Sequence, residues 1–131
     1  AGKITIVNRT MENAVKLAEF AKKIGGNADI VSLQKANELI ADYKFIINST
    51  SIGMKNEQSP ISTENIGKDS IVYDIVYQPI NTDLVKKSKE NGASVIYGYE
   101  MLLSQAASAF KIWHKIEPPY DAMKKALLGG F

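Results

Sequence analysis

Phe45-Ile46-Ile47-Asn48-Ser49-Thr50-Ser51-Ile52-Gly53-Met54 is the stretch on which the reading of the fold turns. It begins as an apolar run and changes abruptly to small polar residues and a glycine. An apolar run without polar alternation predicts a strand buried on both faces, as in a parallel sheet. Ligands of open α/β sheets sit just beyond the carboxyl ends of such strands. Asn, Ser, Thr and Gly at that point allow close approach and supply hydrogen bonds.

Outward from it, the rest of the chain alternates strand and helix patterns. Towards the N-terminus, residues 3–7 form a β-branched strand that runs into Asn8-Arg9-Thr10. Thr10 is placed to cap a helix, with Glu12 at the positive end of its dipole. Met11, Ala14, Leu17, Ala18, Ala21 and Ile24 recur at helical spacing as its inward face, and Gly25-Gly26 ends it. A second strand is expected over 28–33, a short helix over 34–42 with Ala36, Leu39 and Ile40 inward, and the third strand over 43–49. Towards the C-terminus, a polar loop covers 50–60, and Ser62 or Thr63 caps a turn before Gly67. A fourth strand follows at 70–76, then a helix at 83–91 capped by Thr82 and ended by Gly92, then a fifth strand at 94–97. Gly98 leads into a helix at 100–114 with Met101, Leu102, Ala106, Ala109, Phe110 and Trp113 as its apolar face. Pro118-Pro119 breaks the chain before a last helix at 120–128. Alternation at this spacing predicts a parallel sheet with right-handed crossovers, its functional loops opening on one edge.

Composition narrows the function. A chain of 131 residues, 45% hydrophobic and 23% charged, suits one globular domain. The net charge is +2 and the lysines are dispersed, so there is no nucleic-acid footprint. The absence of cysteine excludes disulfides, thiolate metal sites and a cysteine nucleophile. The single histidine, His114, excludes a histidine cluster for zinc and reads as a helix C-terminal cation. No apolar run approaches the roughly 20 residues of a membrane span, and no signal peptide is visible, so the default location is cytoplasmic. A start at Ala1, running almost at once into a strand, is what a piece of a longer or processed protein would show, and initiator removal would look the same.

Short motifs carry the chemistry. At the end of the second strand of a dinucleotide-binding fold, an acidic residue binds the ribose 2′-OH of NAD, whereas an arginine suits the 2′-phosphate of NADP. Arg9 offers such a guanidinium, and Thr10 adds a hydroxyl and a helix N-terminus. The plain alternative is a solvated arginine beside an ordinary cap. Asn48 to Met54 could line a nicotinamide pocket, with Thr50 and the Gly53 backbone closest, or simply close a strand with a polar loop. Asp74-Ile75-Val76-Tyr77 could place Tyr77 at the site with Asp74 beneath it, or hold a half-packed tyrosine and an aspartate bonded to loop backbone. Gly98 could admit a cofactor ring or serve as a turn glycine. Gln105 lies on or beside the apolar face of its helix and is the polar residue there of most interest. The loop G-x-G-x-x-G/A is absent.

Taken together, the motifs resemble those of the shikimate dehydrogenases, in their C-terminal NADP-binding half. The resemblance runs from about Lys3 to the end of the chain. Asn8-Arg9-Thr10 resembles the family's segment for the adenosine 2′-phosphate, and Asn48-Ser49-Thr50-Ser51-Ile52-Gly53-Met54 its N-(A/S)-T-x-x-G-M loop near the nicotinamide ribose. Asp74-Ile75-Val76-Tyr77-Gln78-Pro79 with Thr82 resembles D-x-x-Y-x-P-x-x-T. Gly98 with Met101-Leu102, Gln105-Ala106, Ala109-Phe110 and Trp113 resembles G-x-x-M-L-x-x-Q-A-x-x-A-F-x-x-W.

The resemblance implies a Rossmann-like α/β fold with helices on both faces of the sheet. It implies NADPH-dependent reduction of 3-dehydroshikimate to shikimate in aromatic amino-acid biosynthesis. Arg9 and Thr10 would hold the 2′-phosphate, with Asn8 by the adenosine. Asn48, Thr50, Gly53 and Gly98 would line the nicotinamide side, Met101 would pack against the ring, and Tyr77 and Gln105 would bond the substrate. A second basic residue common in the family is replaced here by Asn13, with Lys16 a turn later. The family's catalytic Lys and Asp belong to an N-terminal substrate domain, and its Gly-rich loop and central strand precede the residues seen here. A sheet without that strand exposes two edges. The chain, residues 1–131, is therefore expected to be a partial NADP-binding domain, inactive alone. It would pair with the missing domain, rearrange its sheet, or associate with another copy. The alternatives are a quinate/shikimate dehydrogenase and a catalytically inactive binding or assembly module.

Overall fold

The computed structural model describes residues 2–130; Ala1 and Phe131, the two ends of the expected domain, lie outside the described residues. The chain divides into two compact units, Ala1–Asp42 and Tyr43–Phe131.

The N-terminal unit contains β1 (Ile4–Ile6), α1 (Met11–Lys23), β2 (Ala28–Ile30), α2 (Leu33–Leu39) and a 3-10 turn (Ile40–Asp42). β1 and β2 pair in parallel, with Ile4 opposite Ala28 and Ile6 opposite Ile30. The second strand is shorter than its apolar run because the Ser32 side chain accepts from Lys35 N–H. That bond caps α2 and commits Leu33 to the helix. The core is Ile6, Ala14, Ala18 and Ala28, with Ala21 and Ile30 against it. The expected inward face of α1 needs correction. Met11, Leu17 and Ile24 are exposed, at 52%, 54% and 70%. Two short strands cover only a narrow stripe of a helix, so the alanines at its centre are buried and the larger side chains flanking them are not.

The C-terminal unit contains β3 (Phe45–Asn48), β4 (Ile71–Asp74), α3 (Asp83–Glu90), β5 (Ser94–Tyr97), α4 (Gly98–His114) and α5 (Tyr120–Gly129). The sheet is parallel in the order β3-β4-β5. α3 packs on β4 and β5, α4 on β5, and α5 on α4. Thr82 caps α3 as expected, its hydroxyl accepting from Val85 N–H. Val72, Leu84, Val85 and Ile66 are the most deeply buried apolar side chains.

Two expectations fail here. β3 is not buried on both faces: Ile46 and Asn48 are buried, whereas Phe45 and Ile47 remain 66% and 62% exposed. An apolar run reports what a strand can bury, and no layer covers that face of β3 among the described residues. On α4 the buried positions are Gly98, Leu103 and Ala107; Met101 and Trp113 are exposed and Phe110 is half-buried. Among the described residues, β1 and β3 each have one edge without a strand partner. Among the described residues, no helix is long and apolar enough to cross a membrane.

Ser88 lies wholly buried on α3, and its Oγ has no hydrogen-bond partner among the described residues. A buried hydroxyl without a partner retains its desolvation cost, and alanine is the better helix former. Ser88→Ala is therefore expected to leave stability unchanged or raise it by about 0.5–1 kcal/mol. Chemical denaturation measures this; a loss above about 1 kcal/mol would show that the hydroxyl contributes.

Candidate functional site

In the N-terminal unit, the candidate residues follow β1. Asn8 Oδ1 accepts from Thr10 N–H at 2.8 Å and fixes the turn into α1. Thr10 occupies the cap position, but its side chain makes no capping bond. Its carbonyl accepts from Asn13 and Ala14 N–H. Asn8, Arg9 and Thr10 are all exposed, and Arg9 forms no ion pair among the described residues. A guanidinium with no carboxylate partner, beside a helix N-terminus, is suited to an anion from outside.

In the C-terminal unit, the site is built on Asp74, which is fully buried. The sheet register sets Asn48 opposite Asp74, and Asn48 Nδ2 donates to Asp74 Oδ1 at 3.0 Å. The same oxygen accepts from Val76 N–H at 3.1 Å. Oδ2 accepts from the Thr82 hydroxyl at 2.7 Å. Asn48 also donates to Ile52 O at 3.1 Å, while its Oδ1 accepts from Thr50 N–H at 3.1 Å and Thr50 Oγ1 at 2.7 Å. Thr50 Oγ1 in turn accepts from Ile52 N–H at 3.2 Å. The hydrogen-bonding capacity of the Asn48 amide is thus filled inside the protein.

Gly53 closes the turn at φ +110°, which strains any other residue, and a Cβ there would crowd Thr82 Cγ2 at 3.0 Å. Glu57 Oε2 accepts from Gly53 N–H and Lys55 N–H, each at 2.9 Å. The Lys55 and then the Gly53 N–H hold its carboxyl below the ordinary carboxylate range. The far end of the loop is held by Asp83 Oδ2, which accepts from Ser59 N–H and Lys87 Nζ, both at 2.9 Å.

The remaining residues come from β4 and α4. Tyr77 follows β4 and is 41% exposed, next to the cis Gln78–Pro79 peptide. Gly98 is buried against the chain leaving β4: a Cβ there would fall 2.4 Å from Ile75 O and 2.6 Å from Val76 O. Met101 and Gln105 are exposed on α4. The structure therefore joins Asn48, Thr50 and Gly53 in one bonded loop. Gly98 lies against the backbone that leads to Tyr77, and Asn8, Arg9 and Thr10 belong to the other compact unit. Sequence reading missed Asp83 and Glu57, and it did not give Asp74 its central place. Only the D-x-x-Y-x-P-x-x-T spacing linked Asp74 to Thr82. No group of acidic or histidine side chains suited to a metal ion occurs among the described residues.

The family model described as shikimate / quinate 5-dehydrogenase matches residues 1–77. The chain belongs to this family. A second model, the shikimate 5'-dehydrogenase C-terminal domain, matches residues 98–128. The shikimate dehydrogenase (NADP(+)) of Nitrosopumilus maritimus is 57% identical over 131 residues, which is all of this chain and 48% of that protein. The structure of quinate dehydrogenase from Corynebacterium glutamicum in complex with NAD superposes with a TM-score of 0.87 at 26% identity, over 98% of this chain and 46% of that one. Shikimate 5-dehydrogenase from Thermus thermophilus in complex with NADP(H) and shikimate gives 0.77 at 30% identity, over 97% and 46%. The chain thus spans about half the length of the relatives it matches, and the fold is the Rossmann-like α/β fold of this family.

Two outcomes follow from the geometry. Both Asp74 oxygens accept, so Asp74→Asn turns an amide donor towards another donor inside the protein. A loss of about 2 kcal/mol or more in unfolding free energy is expected; a neutral result in urea denaturation would remove Asp74 from the centre of the site. The Asp83 carboxyl is held low by Lys87 first and then by Ser59 N–H. Its stabilising contribution is present above its ordinary value of 3.8 and is lost as pH falls through the lower folded value. The stability difference between the parent protein and Asp83→Asn should therefore shrink below that pH; a difference independent of pH contradicts it.

Proposed function

We propose that this chain is the NADP-binding part of a shikimate dehydrogenase, which reduces 3-dehydroshikimate to shikimate with NADPH. The observation that carries the reading is Arg9, exposed and without an ion pair among the described residues, at the end of β1 and the start of α1. The names of the relatives and the shared motifs support it. The residues there fit a phosphomonoester: a guanidinium fork, the Thr10 hydroxyl, and a helix start whose first N–H groups lack intrahelical partners. Asn13 supplies no second charge, and no residue of this chain is assigned to the pyrophosphate.

NADPH, when bound, supplies the hydride. Arg9 and Thr10 bind the 2′-phosphate, and Asn8 holds their turn beside the adenosine. Asn48 acts from beneath, since its amide is used up in shaping the loop, so the surface offered to the nicotinamide ribose is Thr50 and the Gly53 backbone. Gly98 lets α4 start hard against the chain leaving β4, where the Ile75 and Val76 carbonyls fill the space of a side chain, so it offers the nicotinamide side backbone alone, and Met101 packs against the ring. Tyr77 and Gln105 hydrogen-bond the substrate and orient its ketone, where a misplacement of an ångström costs much of the rate. Turnover further requires the Lys and Asp that the resemblance places in a substrate domain, so the partner of this chain is that domain, or a second copy. We place the reaction in the cytoplasm.

A specific observation keeps a second reading alongside: the family description names both substrates, and a neighbour with TM-score 0.87 is a quinate dehydrogenase holding NAD. One experiment addresses both. In the whole protein, Arg9→Ala should raise KM for NADPH about 10–100-fold, the range of a lost charge-assisted contact, while NADH changes less than about twofold. The assay is run with shikimate and with quinate. Equal losses for the two cofactors would overturn the assignment of Arg9, and a preference for quinate with NAD would move the protein to the second reading.

A further inference from the structure

The loop after β3 has an outer anchor that neither the motifs nor the family relationship assigns. Glu57 is exposed, a setting in which a long acidic side chain ordinarily gives up its rotamer freedom for little return. Its Oε2 nevertheless closes a ring on the backbone, accepting from Gly53 N–H and Lys55 N–H at 2.9 Å each. Asn56, at φ +57°, turns the chain back, and its N–H donates to Gly53 O at 3.2 Å. Met54 N–H is taken up by Ser51 O at 3.2 Å. Gly53 is therefore held from several sides: Thr82 packs against it, Asn48 grips the preceding carbonyl, and Glu57 grips its own N–H. Of these, only the grip by Glu57 is charge-assisted, and such bonds are roughly twice as strong as neutral ones. Lys55 is the charged group beside the carboxyl, and the Asp83–Lys87 pair anchors the far end of the loop.

We infer that Glu57 is a positioning residue for the cofactor: it fixes the Gly53–Met54 backbone against which the nicotinamide ribose binds. This rests on the NADP reading above. Glu57 acts through the loop and touches neither substrate nor reacting atoms. Removing it leaves that peptide held only through Ile52 O and the neighbouring Thr82, so the Gly53 backbone loosens and a cofactor resting on it loses affinity while the substrate contacts from Tyr77 and Gln105 are unaffected.

The test uses the whole protein with Glu57→Ala and Glu57→Gln. Glutamine keeps one oxygen able to accept both N–H groups but lacks the charge. In Glu57→Ala, hydrogen exchange of the Gly53 and Lys55 amides, read without cofactor, should accelerate about tenfold, as expected for one lost hydrogen bond each. KM for NADPH should rise about fivefold, with kcat and KM for shikimate within about twofold, on the same scale of a single bond. Glu57→Gln should fall between Glu57→Ala and the parent in both readouts, a graded rescue that general loosening of the fold would not give. Amides that exchange at the parent rate overturn the inference. So does an unchanged KM for NADPH with the amides deprotected. If the parent protein binds no NADPH, the cofactor reading falls and takes this inference with it, while the amide exchange still reports whether the anchor exists.

Discussion

Asp74 has no access to solvent, yet it accepts hydrogen bonds from Asn48, from Val76 N–H and from Thr82. A buried aspartate is tolerated only when its oxygens are satisfied, so the three donors and the one acceptor require each other. The parallel register that sets Asn48 opposite Asp74 makes the first of these bonds possible. A slip of one residue would turn Asn48 to the other face of the sheet. The end of β3, distant in sequence, is ordered together with the chain leaving β4 and the start of α3 by one side chain. Thr82 then serves twice more, capping α3 through its hydroxyl and packing its methyl against Gly53. The loop after β3 is consequently rigid for reasons of folding before any ligand is considered.

The N-terminal unit is held more lightly. One side-chain bond from Asn8 shapes the turn at Arg9, and a small core of alanines and isoleucines supports it. The contrast suits the two tasks proposed for the units. Attraction between a guanidinium and a phosphate acts over several ångströms and tolerates a mobile side chain. Alignment for hydride transfer does not, because its rate depends on near-attack geometry. The heavily bonded framework lies under the residues proposed for the reacting end of the cofactor, and the light one beside those proposed for its distant phosphate.

Element types and their order were legible from periodicity and punctuation. Gly25-Gly26, Thr82 and Gly92 stop or start helices as local chemistry dictates, and the strand cores fall where the β-branched runs are. Boundaries drifted where a side chain intervened, as at Ser32, whose cap gives Leu33 to α2. Burial was least legible. Phe45, Ile47, Met11 and Trp113 are apolar and exposed, because burial is set by what packs against a residue, and that is not written in the residue itself. The candidate site was legible as motifs, but the mechanical roles within it were not. Glu57 and Asp83 act through loop geometry, which has no period. The bonds of Asp74 depend on a register that appears only when the strands are paired.

The structure also redistributes the weight of the candidate site residues. Gly98 must be glycine whether or not a cofactor binds, because the carbonyls of Ile75 and Val76 occupy the space of a side chain. Asn48 is likewise accounted for by its bonds to Asp74 and Thr50, and Thr50 by its bonds to Asn48 and Ile52 N–H. A residue required by the fold says little about a ligand, even when it lies beside one. Arg9, Met101 and Gln105 are different: they are exposed, and among the described residues none of them takes part in the core, a helix cap or an ion pair. Residues with a chemical capacity and no internal use for it discriminate best between a binding surface and a merely well-made loop, and on that ground Arg9 carries more of the NADP reading than the glycines do.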